Sequence, residues 1–223
     1  MENQTESSRI NRSRPAKCPL EDCSTILSDA TLLQHLLQDH DNIEVQPLQE
    51  DEKCKVIISE EAFARGKPVC QRIILYGGRN ADHFGPAKPG LSLRNIVLHP
   101  EHSAYKDQLV VLVMGYKTQR TIFQESMPRE DDSEGDFDPR NDLFVFWFVG
   151  TETDWPVYGN LTVRNTNGTF CSSDRLEIRD FKAFMNPTSI LREGLDYLLI
   201  SRGGMRLLTG EDQFFFELEI SIN

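Results

Sequence analysis

Leu109–Tyr116 reads LVVLVMGY, and this almost wholly apolar run of eight residues decides the fold of the chain. A second run of the same length, LFVFWFVG, occupies Leu143–Gly150. Strands with one face in water alternate apolar and polar residues, whereas unbroken apolar runs are typical of strands covered on both faces. Both runs are far shorter than the roughly 20 residues of a membrane-spanning helix. The sequence therefore predicts two central, buried strands and no transmembrane segment.

Further β-type runs surround this pair, each bounded by turn-forming residues. They are KVIIS (55–59), QRIILYGG (71–78), SLRNIVLHP (92–100), NLTVRNTNG (160–168), DRLEIRDF (174–181) and FFFELEISI (214–222). This number of short strands predicts a mainly β fold in which two antiparallel sheets pack around one core. The glycine pairs at 77–78 and 203–204 are interpreted as turns with positive φ. A start signal at 186–189, followed by Ile190, Leu191 and Leu195, predicts one short helix late in the chain.

Composition divides the chain into four segments. Residues 1–16 are polar and predict a disordered tail, residues 17–42 a compact finger, residues 43–54 a polar linker, and residues 55–223 the sandwich. Residues 130–142, EDDSEGDFDPRND, hold seven acids against one arginine and predict a solvated acidic loop between the two central strands. A docking site for a basic partner, or an acid-directed phosphorylation site at Ser133, is the alternative interpretation of this loop.

The charge balance narrows the classes of function. The chain has 35 acidic and 24 basic residues, a formal charge of −11, and a pI near 4.9. Such a chain repels nucleic-acid backbones and anionic membranes, so we expect neither as a general partner. The first 17 residues contain no apolar signal-peptide core. We therefore expect the chain in a reducing compartment, cytoplasmic and/or nuclear, with its five cysteines as thiols or metal ligands.

The most specific chemical motif lies near the amino end. Cys18, Cys23, His35 and His40 form a C-x4-C-x11-H-x4-H array, whose residue types and gaps are typical of a tetrahedral Cys2His2 zinc site. The sequence predicts one structural Zn²⁺, held by two thiolates on a tight turn and two imidazoles about one turn apart on a helix. A helix with incidental Cys and His residues is the alternative. No Lys or Arg occurs from Glu21 to Glu52, which disfavours nucleic-acid binding by this finger.

The finger CPLEDCSTILSDATLLQHLLQDH (18–40) resembles the second zinc finger of the Seven-in-absentia (SINA/Siah) ubiquitin ligases. LVVLVMGYK, FVFWFVGTE, LTVRNTNG, NPTSILREG and FELEISI then follow in the order of that family's C-terminal half. The resemblance implies a TRAF-like β-sandwich that binds substrate or adaptor peptides by strand addition and forms dimers. A RING needs eight ligands for two zinc ions, so with five cysteines we expect no RING here. We also expect the chain to belong to an insect protein family with the same organisation.

The resemblance implies that the peptide groove of the SINA-type sandwich corresponds to residues near 92–98 of this chain, beside the central strand at 109–114. Ile96 and Leu98 are then candidates for lining it, and simple core positions are the alternative. Trp155, which precedes Pro156, is a further candidate for partner binding. These residues suggest a hypothesis of function: a non-catalytic adaptor, whose partners are RING-bearing SINA-type ligases, their substrates, or a second sandwich in a homo- or heterodimer.

Two other hypotheses stay open at this point. One is a nuclear zinc-finger regulatory protein with weak or no direct nucleic-acid binding. The other is an enzyme on a β scaffold, which the sequence disfavours because no nucleophile is accompanied by a plausible base. His99 and His102 are separated by three positions, but Pro100 lies between them and interrupts the helix that metalloprotease chemistry uses. We therefore expect no enzyme activity.

Overall fold

A computed structural model of the chain describes residues 15–78, 95–123, 138–183, 187–210 and 214–223. Within these ranges the chain is mainly β, as predicted, with a finger at the amino end and short helices late in the sequence. The strands are β1 (Ala16–Lys17), β2 (Ile26–Leu27), β3 (Val45–Leu48), β4 (Cys54–Ser59), β5 (Pro68–Tyr76), β6 (Leu109–Gln119), β7 (Asp142–Gly150), β8 (Tyr158–Arg164), β9 (Cys171–Asp180), β10 (Leu198–Ser201) and β11 (Phe215–Ile222). The α-helices are α1 (Asp29–Asp39), α2 (Pro187–Arg192) and α3 (Arg202–Thr209), and 3-10 turns lie at Glu60–Ala62, Pro100–Tyr105, Arg120–Phe123 and Pro139–Asn141.

The body is one long sheet folded back on itself. Its strand order is β3-β5-β6-β7-β9-β8-β11-β4, and β10 pairs with β7 beside this path. We call β3, β5, β6, β7 and β10 sheet I, and β8, β11 and β4 sheet II. Strand β9 joins them, because it pairs in parallel with the end of β7 and antiparallel with β8. Most pairings are antiparallel, and β3 with β5 is the other parallel pair among the described strands. The predicted sandwich is therefore confirmed, with its two sheets continuous at one side.

Sheet I is buried on both faces. Inward residues such as Val111, Phe146 and Phe148 pack against sheet II in one core. Residues that alternate with them, such as Leu112 and Trp147, pack against the finger and α2 in a second core. This double coverage confirms the interpretation of the unbroken apolar runs in β6 and β7. The outer face of sheet II is exposed to solvent. Along part of β11, buried residues accordingly alternate with residues that are exposed or half-buried.

Seven of the eight predicted strands are present, and the run at 92–100 is the exception. Its described residues, from Asn95 onward, form no strand and lead into the 3-10 turn at 100–105. The linker at 43–54 instead contains strand β3, and β10 was not predicted. The glycine pair at 203–204 is also not a turn, because it lies inside α3, whereas Gly78 has the expected positive φ of 73°. The late helix is confirmed and begins at Pro187.

Two predicted segments lie largely outside the described residues. The tail at 1–16 is described only at its last two residues, and Ala16 already belongs to β1. Of the acidic loop, residues 130–137 lie outside the described ranges. Asp142, its last predicted residue, is not solvated: it is the first residue of β7, is 2% exposed, and pairs with Arg65 and Lys117. Among the described helices, none is both long and apolar enough to cross a bilayer.

Candidate metal centre

The two cysteines are placed by a short hairpin. Strands β1 and β2 pair antiparallel, and the Cys18 N–H donates to the carbonyl of Thr25 at 2.8 Å. The chain reverses through Asp22, whose φ of 65° lies in the left-handed region that Asp tolerates better than most residues. This reversal brings Cys23 back beside Cys18. Cys18 is buried and Cys23 is half-buried.

The two histidines are placed by α1 and by the point where it ends. Ser28 is the N-cap of the helix, and its N–H donates to Oγ1 of Thr31 at 3.0 Å. His35 lies within the helix. His40 does not, because the helix ends at Asp39 and His40 has φ −131° and ψ 40°. In a continuous helix, residues five apart project well away from each other. The prediction that both imidazoles lie on the helix is therefore wrong for His40, and the helix end is what turns it towards His35.

Side-chain atoms of Cys18, Cys23, His35 and His40 converge as predicted. The four ligand atoms all lie within 4.8 Å of one another. Nε2 of His35 and Nε2 of His40 are 3.2 Å apart, Sγ of Cys23 is 3.3 Å from His35 Nε2, and Sγ of Cys18 is 3.6 Å from His40 Nε2. The two imidazole rings meet edge to face, with centroids 4.9 Å apart. The group is therefore close enough to hold one metal ion.

Asp39 orients one of these ligands. Its Oδ2 lies 2.6 Å from Nδ1 of His35. A carboxylate can only accept a hydrogen bond, so Nδ1 carries the proton and the lone pair of Nε2 is left for a metal. Asp39 lies one turn along the helix from His35, so the helix itself sets this geometry. Sequence reasoning had not assigned Asp39 a role, although an acid four residues after a ligand histidine is a readable signal.

The ionisation of the ligands depends on how deeply each is buried. Burial raises the pKa of the Cys18 thiol to about 12. Burial also opposes ionisation of Cys23, but hydrogen bonds with Thr25 outweigh it and lower the pKa of that thiol. Burial and then the neighbouring His35 lower the pKa of His40, which favours its neutral form. A cation at this point must displace the proton of Cys18, so we expect metal binding to be pH-dependent.

A protein-family model described as a domain of unknown function, DUF4729, matches residues 17–211. The chain belongs to the DUF4729 family. The match begins one residue before Cys18 and ends after α3, so it includes both the finger and most of the sandwich. A search of curated proteins gave no match.

In this DUF4729 chain the finger is fastened to the sandwich by packing and by a buried ionic cluster. Leu32, Leu33 and Leu36 of α1 are fully buried in the core that they share with sheet I. At the start of the helix, Asp29 Oδ2 lies 2.7 Å from the ammonium of Lys182. Their side chains are 1% and 6% exposed. The finger is therefore anchored to the sandwich through its helix.

Two further acids complete this cluster around Lys182. Glu152 Oε2 lies 2.7 Å and Asp180 Oδ2 3.6 Å from its ammonium, and the Glu152 N–H donates to Asp29 Oδ1 at 3.3 Å. Burial lowers the pKa of Lys182, but the hydrogen bonds to Asp29 and Glu152 outweigh it and leave the pKa raised. Sequence reasoning missed the cluster, because Asp29 and Lys182 lie 153 positions apart and nothing local links them.

The predicted partner-binding residues lie beside the finger, not along a sheet groove. Both sides of β6 are occupied, by β5 and β7. The Val97 N–H donates to the carbonyl of Ala30 in α1 at 3.4 Å, so its neighbours Ile96 and Leu98 run along that helix. Ile96 is 66% exposed, whereas Leu98 is partly buried against the finger core. The predicted groove strand at 92–98 is therefore wrong where the structure describes it.

Trp155 is 53% exposed. It lies three residues after Glu152, which bonds to Asp29 in the first turn of α1. Hydrogen bonds from Val97 and Glu152 thus bring the chain segments that carry the two candidates to the first turn of the finger helix, although the sequence offers no spacing that links them. Their role in partner binding stays a prediction.

Proposed function

We propose that this chain is a zinc-stabilised, non-catalytic interaction module whose sandwich binds an extended segment of another polypeptide along the edge strand β4. The observation that carries the proposal is β4 itself. It has six residues and no proline, pairs with β11 on one side, and has no strand partner on the other within the described ranges. An edge of this kind presents backbone donors and acceptors to an added strand.

The other edges of the sheet fit this role less well. Strand β3 has four residues, and one of them is Pro47, which has no N–H to donate. Strand β10 also has only four residues. A peptide added at β4 could pair along a longer stretch than at either of them. We therefore place the proposed binding site at β4 and not at the groove that the resemblance implied.

The side chains along β4 support selectivity. Ile57 is 59% exposed on the outer face of sheet II, and Phe215, on the adjacent strand, is 51% exposed. Two lysines precede Ile57: the side chains of Lys53 and Lys55 are 60% and 54% exposed, and they pair with Glu219 and Glu217 of β11. Lysines at an edge discourage indiscriminate strand pairing. A suitable partner would therefore place an apolar side chain beside Ile57 and acidic residues opposite the lysines.

We propose zinc as the metal of the finger because three of the six separations between ligand atoms agree with its coordination geometry. A tetrahedron with typical Zn–N and Zn–S bonds has edges of about 3.3 Å between two nitrogens and about 3.6 Å between nitrogen and sulfur. The separations of 3.2, 3.3 and 3.6 Å agree with those edges to within a few tenths of an ångström. Two thiolates and two imidazoles fill all four positions, so such a zinc would be structural.

Native mass spectrometry tests the metal directly. We expect one zinc per chain at neutral pH, and we expect Cys23→Ser to lose it. Cys171→Ser is the matched control, because Cys171 is exposed on β9 and lies outside the ligand group. An unchanged mass after treatment with a chelator would contradict the zinc assignment.

The edge is tested by selecting peptides from a displayed random library on the zinc-loaded chain. Selected peptides should shift and protect the backbone amides of β4 in NMR and hydrogen-exchange measurements. Ile57→Lys should weaken their binding at least tenfold. Ile96→Lys, at a position of similar exposure, should leave it unchanged. If Ile96→Lys abolishes binding and Ile57→Lys does not, the finger end and not the edge is the binding site.

The resemblance to SINA-type ligases adds a narrower proposal, that the bound polypeptides belong to the ubiquitin system. The support is the motif order described above, which makes the chain an adaptor, a decoy or a dimer partner for a RING-bearing protein. Co-purification with RING-bearing SINA-type ligases that is lost with Ile57→Lys, and kept with Ile96→Lys, would support this role. If these ligases are expressed with the chain and still do not co-purify with it, the role in the ubiquitin system is contradicted. The peptide-binding proposal would remain intact.

A further inference from the structure

A cavity lies where the finger meets the outer face of sheet I. Its volume is about 280 Å³. The loop that carries the first metal ligand, at 17–22, forms one wall. Residues of β5, β6, β7, β9 and α2, and the segment that follows β9, form the others. The cavity therefore exists only because the finger is docked on the sheet.

The lining of this cavity is mainly apolar. Pro19 and Leu20 contribute from the finger, and Met114 and Trp147 from the sheet. Ile190 of α2 completes the apolar lining. The volume is close to the lower limit of small-molecule sites, so it suits one large apolar side chain and not a nucleotide-sized ligand.

One polar group in the lining has an unused donor. Arg179 donates from Nη2 to Asp196 Oδ2 at 2.6 Å, but its buried Nε–H has no hydrogen-bond partner among the described residues. A buried donor without a partner is costly, and an acceptor brought by a ligand would satisfy it. The acids at 21, 22 and 180 also line the cavity, against Lys17 and the already paired Arg179. An anionic ligand is disfavoured by these acids, so the acceptor should be neutral, such as a backbone carbonyl.

We propose that this cavity is a second binding site, which takes one large apolar side chain of a partner polypeptide and lets the adjacent backbone carbonyl accept from Arg179. The proposal does not depend on the β4 edge, because the residues involved are different. It does depend on the finger. Cys18 itself lines the cavity, so loss of the metal removes the order of one wall, and binding should require a loaded finger.

Tryptophan fluorescence gives a reporter inside the cavity. The chain has two tryptophans, and Trp155 does not line this cavity, so Trp155→Phe leaves Trp147 as the only indole. The probes are N-acetyl-leucinamide, which carries carbonyl acceptors, and toluene, which does not. We expect both probes to change the Trp147 emission saturably, with dissociation constants on the order of millimolar for such small molecules. The same shift should be lost when a chelator removes the metal.

Two substitutions identify the site. Ala183→Leu, at an exposed position in the cavity lining, should weaken both probes at least fivefold, whereas Ala104→Leu, at an exposed position outside the cavity, should not. Arg179→Lys keeps the charge beside Asp196 but removes the Nε–H, so it should weaken N-acetyl-leucinamide several-fold and leave toluene unchanged. Circular dichroism of each variant confirms that it folds.

The outcomes separate the two proposed sites. Ile57→Lys should leave the probe response intact, since it lies on sheet II. An emission of Trp147 that does not respond to either probe in the zinc-loaded Trp155→Phe protein overturns the proposal. Equal responses in the Ala183→Leu and Ala104→Leu backgrounds overturn it as well. Neither of these results would affect peptide binding at β4.

Discussion

Replacing Lys182 with methionine should be among the most destabilising single changes that leave the metal ligands intact. Methionine keeps the length and apolar stem of the side chain but removes the ammonium. Among the described residues, Asp29, which is 1% exposed, then keeps only the Glu152 N–H at 3.3 Å. Removing one partner of a buried ion pair leaves an uncompensated buried charge and costs about 3–5 kcal/mol. We expect Lys182→Met to lower the free energy of unfolding by that amount.

Asp29→Asn is the matched comparison, because it removes a charge from the other side of the same pair. The ammonium of Lys182 would still be compensated by Glu152 at 2.7 Å and Asp180 at 3.6 Å. Only a charge-assisted hydrogen bond is weakened, so we expect a cost of about 1.5–3 kcal/mol. The double variant should cost less than the sum of the two, with a coupling of about 1–3 kcal/mol.

Urea denaturation of the metal-loaded proteins at pH 7, followed by tryptophan fluorescence, measures these differences. Hydrogen exchange shows which part of the fold is destabilised. Amides of α1 should exchange faster in Lys182→Met than in the wild type, and amides of sheet II should be less affected. The reasoning is refuted if Lys182→Met costs less than about 1 kcal/mol, or if the two single changes are equal and additive. Either result would mean that water, and not protein, satisfies Asp29.

Three further predictions concern other parts of the molecule. Gly115→Ala would place a Cβ 2.4 Å from Cε1 of the buried Phe63, so we expect a loss of about 1–3 kcal/mol by urea denaturation. Asp39→Asn should weaken metal binding by about 10–100-fold in chelator competition, because the imidazole that holds the metal loses its orienting carboxylate. A hydrogen bond from Lys53 lowers the pKa of Glu219 below its usual 4.5, so the ionised group stabilises the fold above that pH, and the stabilisation is lost as the pH falls through the lowered value. The stability difference between the wild type and Glu219→Gln should therefore shrink as the pH falls below 4.5.

The sequence alone predicted the central strands and the four ligand residues, because the signal for each lies within a short stretch of chain. The unbroken apolar runs in β6 and β7 identified the doubly covered strands, because burial on both faces leaves no position for a polar residue. The four ligand residues were predicted for a similar reason, since few other roles need two thiols and two imidazoles at those gaps. Both predictions depend on chemistry that is complete within a short stretch of chain.

The wrong predictions concern segments whose conformation depends on contacts with residues distant in sequence. Asn95–Leu98 carries strand-like residues, but hydrogen bonds to Ala30 and Gln34 of the finger helix hold this region outside the sheet. Arg202–Thr209 contains two glycines that favour a turn, yet it forms α3, with Met205 and Leu208 buried in the main core. In each case a contact distant in sequence decides the conformation, and propensity alone could not show it.

The finger and the sandwich are best understood as one cooperative unit. A sheet that is apolar on both faces cannot stand alone in water, and in this chain the second face of sheet I is covered by α1 and α2. Leu36 stays there while α1 is held, both by the metal ligands at either end of the finger and by the Asp29–Lys182 pair at the start of the helix. We therefore expect loss of the metal to loosen the contact between the finger and the outer face of β6 and β7. A metal site that contributes to folding in this way would stabilise the surface that carries the proposed cavity as well as its own loop.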